Sequence, residues 1–107
     1  MTTTDKKQVA RALLSAQAVG FSPQSPVRFA SGILSPVYVD NRVLSFHPQQ
    51  WHIVIQSFQN LIQAQNIIAD VIAGVAVGGV PHSAALAFTL NIPHVFIRKE
   101  AKGYGKQ

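Results

Sequence analysis

Four of the nine Lys and Arg side chains in this 107-residue sequence fall in its last ten residues: Arg98, Lys99, Lys102 and Lys106, beside one acid, Glu100. Gly103 and Gly105 are interleaved with them, and glycine lets a loop take up backbone conformations closed to other residues. A mobile cationic loop can close over a polyanion such as a pyrophosphate, neutralise it and exclude water. A solvated basic surface loop has the same residue types, so composition alone leaves both readings open.

Gly78-Gly79 is the second candidate. It follows an apolar run and precedes a helical pattern, where a chain without Cβ atoms can turn tightly and present backbone N–H groups and a helix N-terminus to a phosphate. The plain alternative is an ordinary turn. No Gly-Lys-Ser/Thr follows, so this is not a nucleotide-binding P-loop, and Gly74 to Gly79 does not match the dinucleotide fingerprint.

A third cluster, Ser31-Gly32 with Ser35-Pro36-Val37-Tyr38-Val39-Asp40-Asn41-Arg42, is rich in turn residues and hydrogen-bonding groups. It reads either as a ligand-contacting segment or as a β-turn with an Asp/Arg surface pair. The histidines at 47, 52, 82 and 94 have no Glu or Cys at ligand spacing, which argues against a zinc site. His82, near the glycine turn, fits a ligand contact less well than helix capping or plain exposure. Ser15, Ser83 and the other serines have no recognisable elbow or partner His, leaving nucleophilic catalysis unsupported. Trp51 and Phe58 read as core.

Composition narrows the field. Hydrophobic residues make up 48% and charged residues 12%, a globular composition and not a disordered one. The longest apolar stretches, Val71 to Val77 and Ala84 to Leu90, fall short of the ~20 residues that span a bilayer. No signal peptide is visible in the polar opening segment. With no cysteine there is no disulfide framework or thiolate site, which fits a cytoplasmic location. The net charge of +5 raises nucleic acid as a partner, but its concentration near Arg98 suits one anion-binding segment better.

These residues need elements to hold them. Thr3 or Thr4 can cap a helix through Val9, Ala12, Leu13 and Ala16, with Gly20 placed to end it. From Phe21 to Pro48 the prolines and Gly32 punctuate short segments, read as two short strands and loops without helix, Val37 to Val39 being one strand. Pro48 suits the first turn of a second helix, on which Trp51, Val54, Ile55, Phe58, Leu61 and Ile62 share a face. Asp70 to Val77 reads as a parallel strand buried on both faces, broken by Gly78-Gly79. Pro81 opens a third helix, Asn91-Ile92-Pro93 ends it, and His94 to Ile97 is a further strand. Two strands joined by a helical crossover of roughly a dozen or more residues run parallel. Open α/β sheets bind ligands at the carboxyl edge of their strands, so Gly78-Gly79 and Arg98-Lys99 should lie along one edge.

Three stretches together resemble the orotate phosphoribosyltransferases. They are Arg28-Phe29-Ala30-Ser31-Gly32 with Ser35 to Arg42, the strand and turn Val71 to Pro81, and Phe96-Ile97-Arg98-Lys99-Glu100-Ala101-Lys102-Gly103-Tyr104-Gly105. The resemblance spans nearly the whole chain in the family's order. It implies an α/β, phosphoribosyltransferase-type (Rossmann-like) parallel sheet with flanking helices, incomplete at the C-terminus, with residues 1–107 forming the N-terminal part of a single domain. It implies transfer of phosphoribosyl from phosphoribosyl pyrophosphate to orotate in pyrimidine biosynthesis, with Mg2+ carried by the pyrophosphate and no protein metal ligand in this chain. It also implies a homodimer with shared active sites.

Residue by residue, Arg98, Lys99 and Lys102 match the family's donor-binding cations, Lys102 being the catalytic loop lysine. Ala76, Val77, Gly78 and Gly79 match the turn that holds the pyrophosphate, and Tyr38 and Val39 match positions that contact the orotate ring. Tyr104 stands where a histidine is common, and Ala30 where many members carry a donor-binding lysine. The family's acidic doublet with its Thr/Gly-rich loop would lie downstream, and none of the four acids here, Asp5, Asp40, Asp70 and Glu100, forms an adjacent pair to replace it. The resemblance therefore implies that this chain alone has no transferase activity. The competing readings are a purine-type transferase, a noncatalytic polyanion-binding or regulatory protein of the same fold, and a nucleic-acid binder acting through its basic tail.

Overall fold

The computed structural model describes residues 3–100. The chain divides into two compact units, Met1–Val54 and Ile55–Gln107, the division falling inside the second helix.

In the first unit, Ala12 of α1 (Thr3–Ser15) and Ala16 just after it form a small core with Leu44 and Val54, flanked by Leu13 and Trp51. The helix ends at Ser15, five residues before the expected Gly20. Gln17 takes the left-handed conformation (φ 58°), its N–H donating to the Leu14 carbonyl at 3.0 Å and that of Ala18 to Leu13 at 2.9 Å. This pair of bonds satisfies the last carbonyls of a helix, and it suffices even without glycine. Gly20 lies instead in β1 (Val19–Phe21), antiparallel to β4 (Val37–Val39) with Gly20 opposite Tyr38.

Between them β2 (Val27–Arg28) and β3 (Leu34–Ser35) form a hairpin whose turn uses Gly32 at φ 91°. After the end of β1 at Phe21 the segment thus carries three short strands instead of two. It also holds a helix where none was expected, the 3-10 segment η1 (Asn41–Phe46). The local reason is Asp40, whose carboxylate accepts the Arg42 N–H at 3.1 Å and caps the turn.

Helix α2 (Pro48–Ala64) begins at Pro48, as the sequence indicates. Val54 and Ile55 on its apolar face are buried, but Phe58 is 42% exposed and is not a core residue. Periodicity marks the face that turns inward; it does not guarantee enough neighbouring chain to cover all of it. Asn66 (φ 52°) ends this helix with the same paired bonds that Gln17 makes.

The second unit carries β5 (Ile72–Val75), α3 (Val80–Leu90) and β6 (His94–Ile97). The strands pair in parallel, Ile72 opposite His94 through Val75 opposite Ile97, as the crossover requires. Asn91 (φ 58°) closes α3, again with paired N–H bonds at Asn91 and Ile92. β5 is shorter than the run Asp70 to Val77 and is not buried on both faces: Gly74 is buried, whereas Val75, Val95, Phe96 and Ile97 are each about half exposed. Among the described residues the sheet has two strands, so each has a free edge, and α3 packs on both. No described helix is long and apolar enough to cross a membrane.

Candidate functional site

The carboxyl ends of β5 and β6 create the site in the second unit. Past the Val75–Ile97 pair, the Ala76 N–H donates to the Ile97 carbonyl at 2.7 Å, joining the turn that leaves β5 to the residue just before Arg98. The turn then closes through Gly79 N–H to the Val75 carbonyl at 2.9 Å and Val80 N–H to the Val77 carbonyl at 3.1 Å. The Ala76–Val77 peptide is cis.

Gly79 is demanded by proximity: a Cβ there would lie 2.9 Å from the Val75 carbonyl oxygen and 3.1 Å from its nitrogen. It is also the N-cap of α3 and offers no side-chain cap, so the positive end of the helix dipole lies at this edge. Val77 is 82% exposed, and Gly78, Arg98 and Lys99 are exposed with it. A helix N-terminus and two cations thus share one accessible edge. That arrangement suits an anion with several oxygens and, among the described residues, holds no group placed for nucleophilic attack.

The structure does supply one pairing that spacing concealed. Ser83 Oγ lies 2.7 Å from His94 Nε2, eleven residues away, joining α3 to β6. A partner histidine for Ser83 was not visible in the sequence, because only the crossover brings position 83 beside position 94. Ser83 is 8% exposed and its hydroxyl also donates to the Val80 carbonyl at 3.0 Å, so the pair braces the site instead of attacking a substrate. His82, in the first turn of α3, is half-buried.

In the first unit, Tyr38 is half-buried with its ring centroid 6.4 Å from that of Phe29, and its hydroxyl accepts from Arg42 Nη2 at 3.5 Å. Arg42 is held in turn by Asp40, through Nε to Oδ1 at 2.8 Å and Nη2 to Oδ2 at 3.0 Å. This guanidinium keeps the Asp40 carboxyl below the ordinary carboxylate range, while the carboxylate raises Arg42 further. The Asp/Arg surface pair read from the sequence is therefore present, and it flanks Tyr38. Val39 is 47% exposed.

Of the residues singled out in the sequence, Ala76, Val77, Gly78, Gly79, Arg98 and Lys99 come together on one edge. Tyr38 and Val39 belong to the other unit. Lys102 and Tyr104 lie outside the described residues, as do Gly103, Gly105 and Lys106. Among the described residues no three His, Asp or Glu side chains converge as a metal site.

No family model matches the chain. The orotate phosphoribosyltransferase of Coxiella burnetii is 39% identical over 100 residues, covering 94% of this chain and 48% of that protein. The Streptococcus agalactiae protein of the same name is 41% identical over 99 residues, 92% of this chain and 47% of its own length. The crystal structure of orotate phosphoribosyltransferase from Aeropyrum pernix superposes with a TM-score of 0.75 at 28% identity, over 92% of this chain and 54% of that one. The chain spans about half the length of the curated relatives it matches.

Proposed function

We propose, on the premise that this chain corresponds to the N-terminal portion of the orotate phosphoribosyltransferases, that it supplies the pyrophosphate-binding edge of such an enzyme. The observation that carries the reading is the bond from Ala76 N–H to the Ile97 carbonyl, which holds the Gly78-Gly79 turn next to Arg98 and Lys99. A polyanion seated there meets the glycine turn and the positive end of the α3 dipole from one side and cationic side chains from the other.

In this reading the phosphoribosyl group passes from phosphoribosyl pyrophosphate to orotate. The C1–oxygen bond to pyrophosphate breaks, the C1–N1 bond to orotate forms as N1 releases its proton to water or to the departing pyrophosphate, and the oxygen that leaves takes the bonding electrons. Negative charge grows on the leaving pyrophosphate while the ribose gains oxocarbenium character, and fixed positive groups aimed at the leaving oxygens lower that barrier. Arg98 and Lys99 bind the donor, Lys102 acts as the catalytic loop cation, and Tyr104 belongs to the substrate-binding set. Tyr38 and Val39 contact the orotate ring. Mg2+ would be carried by the pyrophosphate substrate and would add positive charge at the leaving group, and a second copy of the chain completes the site.

Titration of the chain with phosphoribosyl pyrophosphate tests the reading. Saturable binding is expected, and Lys99→Ala should weaken it by about tenfold, the loss of one charge-assisted contact. Binding that Lys99→Ala leaves unchanged, or no saturable binding at all, would overturn it.

A further inference from the structure

Three elements of the second unit converge on a single hydroxyl. Ser83 Oγ, on α3, donates to the Val80 carbonyl at 3.0 Å and sits 2.7 Å from His94 Nε2 on β6. On β5, Gly74 faces the same group: a Cβ there would land on the Ser83 hydroxyl and lie 2.8 Å from both Ser83 Cβ and the Gly79 carbonyl oxygen. That carbonyl accepts the Ser83 N–H at 3.0 Å.

A serine hydroxyl carries one proton. With that proton on the Val80 carbonyl, the hydrogen in the 2.7 Å contact comes from the imidazole, so His94 holds a proton on Nε2 and Ser83 Oγ accepts it. The relay runs His94 to Ser83 to Val80, and Val80 is the first residue of the helix that Gly79 caps. Its other end is on β6, three residues short of Ile97, whose carbonyl receives the Ala76 N–H.

We propose that His94 and Ser83 are positioning residues for the anion edge: the relay locks the first turn of α3 to β6 and so sets the spacing between the Gly78-Gly79 turn and Arg98. Neither residue touches the ligand. The inference rests on the reading of that edge as a pyrophosphate site. Gly74 belongs to the device because only a residue without a side chain leaves room for the hydroxyl.

The test is calorimetric titration of inorganic pyrophosphate into the full chain and its variants. Ser83→Ala and His94→Leu should each weaken binding by about 3- to 10-fold, as expected for loss of one hydrogen bond that fixes geometry. The double variant should bind no more weakly than the worse single variant, because both remove the same link. His94→Gln, whose amide nitrogen can donate to Ser83, should recover most of the affinity.

Equal affinity in all these chains, with only melting temperatures changed, would make the pair a packing contact and overturn the proposal. Lys99→Ala separates the two ideas: if wild-type binding is absent or insensitive to Lys99, the anion-edge reading falls and the positioning role falls with it. If binding depends on Lys99 but not on His94 or Ser83, only the positioning role is lost. The wild-type chain gives a check that needs no substitution. Nitrogen-15 shifts, read where the imidazole is neutral, should place the His94 proton on Nε2, and a proton on Nδ1 instead would contradict the relay.

Discussion

Asp40 does two jobs within three residues: its carboxylate caps η1 at the Arg42 N–H and pairs with the Arg42 guanidinium, which reaches on to Tyr38. The carboxyl is held below its ordinary range first by the side-chain hydrogen bond from Arg42. Because the folded value is the lower one, the pair adds stability above the ordinary carboxyl pKa and loses it as pH falls through the depressed value. Asp40 and Arg42 are open to solvent, so the gain is small and falls with added salt. An NMR titration should find Asp40 ionising below the usual carboxylate range, and Arg42→Gln should return it toward that range. An unchanged Asp40 in the variant would show that the guanidinium is not the cause. The sequence shows this pair because its members are two positions apart, whereas the Ser83–His94 pair is invisible at eleven.

At the scale of elements, the turn between β5 and α3 is fixed by close approach. Gly79 has an ordinary right-handed backbone (φ −85°), so its need for glycine comes from the Val75 carbonyl and nitrogen that a Cβ would strike. Since the obstacle is backbone, Gly79→Ala must shift the turn, and we expect a loss of about 1–3 kcal/mol in stability, as for overpacked sites. Pyrophosphate affinity should fall as well. Chemical denaturation and titration measure the two effects, and a variant that matches wild type in both would show that the turn yields freely. The helix ends teach a related lesson. Gln17, Asn66 and Asn91 all adopt the left-handed conformation, and all three α-helices close with the same paired bonds. A search for glycine therefore misplaced the stop of α1, while Asn91 was legible because asparagine tolerates that conformation and Pro93 follows it.

For the whole molecule the governing fact is length. The chain spans about half of each curated relative it matches, and Val75, Val95, Phe96 and Ile97 of its two-stranded sheet are each about half exposed, although parallel sheets ordinarily have both faces covered. In the proposed function, ribose 5-phosphate would be gripped by an acidic doublet with a Thr/Gly-rich loop, and this sequence has no adjacent acids. The purified 107-residue chain should therefore bind the donor without turning it over. Assay with orotate and phosphoribosyl pyrophosphate is expected to yield no orotidine monophosphate above background, and steady release of that product would refute the expectation.

Local chemistry determined much of this protein from the sequence alone. The apolar periodicity of α2, Pro48 and Pro81 at helix starts, and the short runs ending at Gly78-Gly79 and Arg98 are one-dimensional signals, and together they placed two parallel strands with the glycine turn and Arg98 on one edge. The tertiary structure alone decided what depends on distance between remote positions or on available cover. It put Ser83 against His94, required glycine at 74 and 79, divided Phe21 to Pro48 into three strands and a 3-10 helix after the end of β1, and left Phe58 exposed. Spacing along a chain records which face a residue takes, but the neighbour it meets there is set only when the elements pack.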